Sequence, residues 1–412
     1  MEADMKTFAL ALSIAAGLAL TIAPGRSFAQ PKEVTFALIV PLSGAWARVG
    51  ELSRKGAELA VEDINKGGGI KALGGAKVRL VVADAGDTPE KSKTAAQRLL
   101  SQEPDVVGGA GAYVSSFTLA VTEVTERAGV AWFTLSYADS ITGRGFKYVY
   151  QTSPTATLQA TAALPTILQM ATSAGGPKPS KIGIVMDNTA SPVSFTKSMR
   201  EGGIKALGLD LVVDETFTAP LSDAGPIMQK VRAARPDFLL LLPTATPDIK
   251  LTLEKLSEIG LPRTRLPVVN NGGPMGSPDL LRIVGKDTLE GAMFIAANWG
   301  SKGMEAMIAD YKKRTGDPWI TQDSISHYGH MLILKEAVER AASVDREKVN
   351  AAIRSMDVRD GPARFFTGGR VKFDATGRRE GAQIVIVQWQ NGEPVTVYPP
   401  EAAVAQPIWP KK

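Results

Sequence analysis

Residues able to do covalent or metal chemistry are few in this 412-residue sequence, and their spacing is poor. There is no cysteine, which removes thiolate nucleophiles, Cys-ligated zinc, iron–sulfur clusters and disulfide scaffolds together. The two histidines, His327 and His330, stand at i, i+3 on an expected helix, a spacing that two ligands of one metal can have. The nearest acids, Asp323 and Glu336, complete no metal pattern, so both histidines are read as structural. No GxxxxGK[ST], GxSxG or HExxH run occurs. The inventory suits a binder rather than an enzyme, and no cofactor or metal is expected.

Binding chemistry is easier to find. Gly108-Gly109-Ala110-Gly111-Ala112-Tyr113-Val114-Ser115-Ser116 follows a short apolar run and precedes a helical pattern. Glycines let backbone approach a ligand, and a helix start presents free N–H groups with partial positive charge. Ser115 or Ser116 would add a hydroxyl, and together these would grip a carboxylate. The bland reading is an N-cap serine. A nucleotide reading is weaker, because the third glycine of GxGxxG is missing. A second loop carries Ser136, Tyr137, Ala138 and Asp139; an Asp before Ile141 is more often a turn or cap residue. Trp46 borders a third loop, 42–46, and could wall an apolar ligand, although a lone Trp more often packs a core or a lobe interface.

The elements that must hold these loops alternate strand and helix. Strands are expected at 34–40, 78–83, 105–107 and 130–134, with helices at 49–66, 90–102 and 115–127. A second series follows, with strands at 181–186, 209–215, 238–242, 266–269 and 292–296. Its helices fall at 157–171, 194–207, 226–234 and 248–259. Helices at 304–314, 323–341 and 346–355 come next, then β-like segments at 370–373 and 383–389. The strands are continuously apolar, as in parallel sheets covered on both faces. The expected fold class is α/β, with two Rossmann-like lobes and a cleft between them. Ligands of open α/β sheets sit beyond the carboxyl ends of the strands, so the loops after strands are the candidate site, in the second series 187–191, 243–247 and 270–273.

Residues 8–23 form a short apolar run preceded by Lys6, and Ser27-Phe28-Ala29 gives a small-x-small pattern before Gln30. This is the layout of a cleaved secretory signal peptide, residues 1–29, and not of an anchor, which needs about 20 apolar residues. Lys plus Arg number 47 against 42 Asp plus Glu, a net charge of +5 that cleavage leaves unchanged. No basic cluster is interleaved with aromatics, so no nucleic-acid partner is expected.

Several stretches in order resemble the type I periplasmic solute-binding proteins of ABC transporters, branched-chain amino-acid branch. They are 36–70 (FALIVPLSGAWARVGELSRKGAELAVEDINKGGGI), Ser136-Tyr137-Ala138-Asp139 with Ile141-Thr142 and Arg144-Gly145-Phe146, 181–187 (KIGIVMD), Glu258-Ile259-Gly260-Leu261 and His327-Tyr328-Gly329-His330. The resemblance implies a venus flytrap whose lobes are joined by a three-segment hinge. Lobe 1 would comprise 33–153 and 300–382, and lobe 2 would comprise 154–299 and 383–405. It implies a periplasmic, monomeric receptor that carries an amino acid or related small carboxylate to an ABC transporter permease. The alternative is a ligand-sensing receptor of the same fold for a small aromatic acid or amide. An exported α/β enzyme is a third reading, from another class.

The resemblance also assigns residues. The family's carboxylate-binding serine falls at Ser115, with Ser116 adjacent. Ser136 matches the position that offers a backbone carbonyl to the ligand amine. The family's threonine falls at Tyr137 or Ala138, because one residue is missing. In the second series, Thr244-Ala245-Thr246 stands where an aromatic wall is usual. Asn270-Asn271-Gly272-Gly273 stands where amino-acid binders place a carboxylate for the ligand's ammonium, and Asn271 is the candidate contact there. Loss of that charge-assisted bond is worth about 1.5–3 kcal/mol, roughly one to two decades of affinity. A ligand without an amine therefore becomes a competitor to leucine.

Overall fold

The computed structural model describes residues 31–261 and 266–409; the apolar leader and its cleavage pattern lie outside them. In the amino-terminal half, β1 (Glu33–Val40), β2 (Lys77–Asp84), β3 (Val106–Gly111), β4 (Ala131–Thr134) and β5 (Val149–Gln151) form one sheet. Their order is β2-β1-β3-β4-β5, and every pairing is parallel. Parallel neighbours need crossovers, supplied here by α1 (Ala47–Lys66), α2 (Pro89–Gln102) and α3 (Ser115–Arg127). Local chemistry sets their ends: Thr88 caps α2 by accepting the Lys91 N–H, and Pro89 opens its first turn.

The second sheet begins after α4 (Ala156–Ser173). It contains β6 (Lys181–Asp187), β7 (Asp210–Phe217), β8 (Phe238–Leu242), β9 (Val268–Asn271) and β10 (Met293–Ala296), in the parallel order β10-β9-β8-β6-β7. The intervening helices are α5 (Ala190–Ser198), α6 (Ile204–Ala206), α7 (Gly225–Ala234), α8 (Thr246–Glu258), α9 (Pro278–Val284) and α10 (Lys286–Leu289). The chain then returns to the first sheet with α11 (Glu305–Thr315), α12 (Gln322–Ala341) and α13 (Arg346–Arg354), and with the short pair β11 (Asp357–Val358) and β12 (Val371–Lys372). Met331, Leu334 and Val338 of α12 share a core with Phe36 and Leu38 of β1. Finally β13 (Val385–Gln390) and β14 (Glu393–Tyr398) extend the second sheet antiparallel at β10. The architecture is two α/β lobes, with the chain passing between them after β5, after β10 and before β13.

Three differences from the sequence reading have physical causes. The strand expected at 105–107 runs on through Gly111. A Cβ on Gly108 would stand 2.5 Å from Leu334 Cδ2, and one on Gly109 2.4 Å from Trp132 Cζ3. These glycines admit α12 and a tryptophan to the sheet rather than a ligand. The helix expected at 194–207 starts at Ala190 and breaks at Gly202, whose φ is 127°, at the Gly202-Gly203 pair. The strands β5 and β14 were missed because each is short or turn-bounded.

Candidate binding cleft

The loops at the carboxyl ends of β3, β4, β6, β8 and β9 meet around one small cavity between the two sheets. The first lobe contributes Tyr113, Val114, Ser115, Leu135, Ser136 and Tyr137. The second lobe contributes Thr189, Ser191, Thr244, Asn271 and Gly272, and Gln322 enters from the start of α12. No lining side chain carries a charge.

In the first lobe the hydroxyls are bound to one another and to backbone. Ser115 opens α3, and its Oγ accepts the N–H groups of Tyr137 and Ala138, each at 3.2 Å. That bond ties the loop after β4 to the helix start. The α3 N-cap is Val114, which offers no side-chain acceptor, so the first-turn N–H groups have no intrahelical or capping partner. Ser136 Oγ donates to the Tyr113 carbonyl at 2.6 Å and lies 2.7 Å from Thr118 Oγ1. The Ser136 carbonyl already accepts Gln151 Nε2 at 2.7 Å and Ser153 Oγ at 3.1 Å. Tyr113 sits in the left-handed region, with φ 68°, a conformation that costs energy in a bulky residue and marks constrained sites. Burial holds the Tyr113 and Tyr137 phenols above their ordinary range, so both stay protonated.

In the second lobe, Asp187 at the end of β6 is fully buried. It accepts the N–H and hydroxyl of Thr189, and the N–H and hydroxyl of Thr244 at 2.6 and 2.7 Å. Burial raises the Asp187 carboxyl despite these four donors. Asn271 Nδ2 donates to Gln159 Oε1 at 2.8 Å. Gln322 Oε1 accepts the Tyr137 hydroxyl at 2.7 Å and the Ala297 N–H at 3.2 Å.

The cavity thus gathers Ser115, Ser136, Tyr137, Thr244 and Asn271 from the residues singled out in the sequence. The others serve the contact between lobes or the frame. Trp46 Nε1 donates across the cleft to Thr244 Oγ1 at 3.2 Å, and the ring meets Phe117 edge-on with centroids 5.3 Å apart. Ala245 packs in the same cluster as Trp46. Ser116 Oγ accepts the Ala190 N–H at 3.2 Å. Asp139 accepts the Ser194 hydroxyl at 2.7 Å and the Thr157 N–H at 3.0 Å. Ala138 donates to Ser115, and Thr246 begins α8. Arg48 of α1 pairs with Asp279 of α9 at the lip. The Trp46–Thr244, Ser116–Ala190, Asp139–Ser194 and Arg48–Asp279 contacts join the two lobes.

Sequence reasoning did not single out four polar wall residues. Tyr113, Thr189 and Ser191 fall inside loops after strands, but Gln322 carried no local signal. It also found no acid beside 270–273, whereas Asp323 of α12 lies there. A Cβ on Gly273 would stand 2.7 Å from Asp323 Oδ2. His327 and His330 are buried; His330 Nε2 lies 2.7 Å from Thr152 Oγ1, and its ring stacks near Phe133 and Phe366. Among the described residues no group of three or more His, Cys, Asp or Glu could hold a metal ion.

Residues 33–394 match the sequence profile of a family described as periplasmic binding protein. The chain belongs to that family. This binding protein is similar to Leu/Ile/Val-binding protein homolog 7 of Brucella suis biovar 1, at 30% identity over 415 residues, 98% of this chain and 99% of that one. A leucine-binding protein of Thermotoga maritima MSB8 shares its fold, with TM-score 0.74, 21% identity, and 88% and 97% of the two chains covered. So does a solute-binding protein of an ABC transporter from R. palustris in complex with benzoate, with TM-score 0.74, 17% identity and coverage of 92% and 99%. Among the described residues no helix is long and apolar enough to cross a membrane.

Proposed function

We propose that this periplasmic binding protein is the substrate-binding component of an ABC importer and takes up a small organic carboxylate, an amino acid or a close relative, between its lobes. The observation that carries the reading is the pairing of two helix starts across one cavity. Ser115 opens α3 in the first lobe, and Thr189 and Ser191 flank the start of α5 in the second. Neither helix is capped by the side chain of its own N-cap residue. The α3 start therefore leaves its first-turn N–H groups free, while α5, whose Ala190 N–H is held by Ser116 Oγ and whose third residue is Pro192, adds mainly the positive end of its dipole; the uncharged space between them suits a carboxylate. Ser115, Tyr137, Thr244 and Asn271 form the wall around the ligand in this reading, while Trp46, Ser116 and Asp139 act on closure. Lobe closure over the ligand then produces the form that a permease recognises. Export by the leader, cleavage after Ala29 and action as a monomer complete the proposal.

The test is a thermal-shift and calorimetric screen of chain refolded free of carried-over ligand. Amino acids and aromatic carboxylates are compared with their methyl esters. A free acid should raise the melting temperature by mass action, and its ester should not. Equal binding of acid and ester, or no response to any small carboxylate, overturns the reading.

A further inference from the structure

The chain crosses between the lobes after Gln151, after Ala296 and before Val385. Backbone in such crossings has left both sheets, so its carbonyls have no ladder partners and must find donors elsewhere. Thr152 in the first crossing, Ala297 in the second and Gln383 in the third all find them at two side chains, Arg379 and Thr367. Arg379 Nε donates to the Thr152 carbonyl at 2.8 Å. Its Nη1 donates to the carbonyls of Thr367 and Arg370 at 2.8 and 3.0 Å, and its Nη2 to Thr367 Oγ1 at 3.4 Å. The Thr367 hydroxyl in turn stands 2.7 Å from the Gln383 carbonyl and 3.1 Å from the Ala297 carbonyl, with one proton for the pair. The Thr367 N–H donates to Asn298 Oδ1 at 3.1 Å.

Arg379 is 4% exposed, and burial alone acts on its guanidinium, lowering the pKa to about 10, so it stays charged at neutral pH. A buried charge without a counter-ion is costly, and an apolar side chain of similar volume would avoid that cost. What the guanidinium adds is a planar fork that holds several acceptors in one geometry. The fork is itself held in place. Its carbon lies 5.4 Å from the centre of the Phe366 ring. The Arg379 N–H donates to the Gln151 carbonyl at 3.0 Å, and the Gln151 N–H to the Gly377 carbonyl at 2.8 Å, which registers the fork to the end of β5.

Three crossings that bent independently would allow the lobes several joined arrangements, whereas crossings tied at one point turn together. We propose that Arg379 and Thr367 tie the three crossings into a single hinge and so set the one arrangement in which the lobes close. Both are positioning residues, and neither lines the cavity. The proposal rests on lobe closure in the reading above and not on the class of ligand.

Because the chain has no cysteine, introduced thiols can be labelled alone. Glu90 in the first turn of α2 and Ile283 on α9 are exposed and belong to opposite lobes. A background carrying Glu90→Cys and Ile283→Cys takes a pair of spin labels, and pulsed electron resonance reads their distance distribution without ligand and with L-leucine or benzoate. Thr367→Val removes the hydroxyl at nearly constant shape, and Thr367→Ser keeps it. Thr367→Val should widen the distribution about twofold as further arrangements are populated, while Thr367→Ser should match the background. Arg379→Lys, which keeps the charge without the fork, should widen it likewise. Whichever acid binds should lose about 3- to 10-fold in affinity in Thr367→Val, because the closed arrangement is populated less. The Thr367 pair decides the matter if circular dichroism shows that Arg379→Lys fails to fold. A lower urea midpoint with unchanged distances makes both residues merely structural and overturns the proposal. So does a Thr367→Ser distribution as wide as that of Thr367→Val. A chain that answers no small carboxylate, but whose labels spread in Thr367→Val alone, sinks the carboxylate reading and leaves the hinge assignment standing.

Discussion

The two sides of the cleft are built from similar polar residues but treated differently. On the first-lobe side each hydroxyl is committed: Ser115 to two backbone N–H groups, Ser136 to the Tyr113 carbonyl and to Thr118. Toward Gly272 and α12, Asn271, Gln322 and Asp323 keep free atoms. A satisfied network is rigid and cheap to maintain, whereas an unsatisfied one carries a desolvation cost until a ligand arrives. In the proposed carboxylate-binding reading, the committed side would anchor what all ligands of a class share, and the side with free atoms would discriminate among them. Specificity of this kind comes from buried polar groups that only the right partner satisfies.

The largest effect that would sharpen the contrast is on stability. Burial lifts the Asp323 carboxyl from the ordinary 3.8 to about 7, so the folded chain holds a proton that the unfolded chain releases in between. The stability from that proton is complete below pH 3.8 and is lost as pH rises through about 7. His327, lowered by burial to about 4, works in the opposite sense: its stability is present above 6.5 and lost as pH falls. Comparing Asp323→Asn with wild type removes the histidine contribution. The difference in melting temperature, variant minus wild type, should grow by roughly 5 °C between pH 5 and pH 8 without ligand. A difference that does not change with pH would mean the acid is already partnered, and the two sides would be alike.

The anchor side is tested by Ser115→Ala. It removes the acceptor of two buried N–H groups, at a cost of about 1–3 kcal/mol in stability at any pH. It also frees the loop after β4, so affinity for every carboxylate ligand should fall about tenfold, leucine and benzoate alike. Urea denaturation and calorimetry check both. A loss confined to one ligand would move discrimination to the first lobe.

Much of this was legible in the sequence, and the reason lies in range. Ser115 and Ser136 stand at strand-to-helix junctions, where the period of the apolar pattern changes and the chain itself says that a loop faces the sheet end. Two βα series gave two lobes by the same logic. Gly108 and Gly109 misled, because a glycine reserved for Leu334 or Trp132 looks the same as one reserved for a ligand. Gln322 and Asp323 were invisible: they lie about 50 residues from Asn271 in sequence, inside a helix whose other residues pack against the first sheet. Only the return of the chain after β10 brings them to Gly273. For Trp46 the sequence left a ligand wall and lobe-interface packing both open; the partner that favours packing, Thr244, is 198 residues away and could not be read locally.

The smallest effect belongs to the lip. Arg48 and Asp279 pair across the cleft with about a third of each side chain still exposed, 30% and 26%. Solvent screens such a pair, so it contributes about 0.2–1 kcal/mol, less than either side of the cavity. It exists only when the lobes are together, so its loss should act on opening rather than on entry. Arg48→Ala should raise the ligand dissociation rate two- to fivefold, roughly the rate equivalent of that energy, and leave association unchanged. Raising salt should bring wild type toward the variant, because the pair is screened, while the Ser115→Ala deficit stays. Stopped-flow kinetics with a bound-state fluorescence signal, from Trp46 or another tryptophan, separates the two rates. If Arg48→Ala costs as much as Ser115→Ala, closure depends on the lip as strongly as on the anchor. The contrast between a committed side and a reading side would then not be what governs binding.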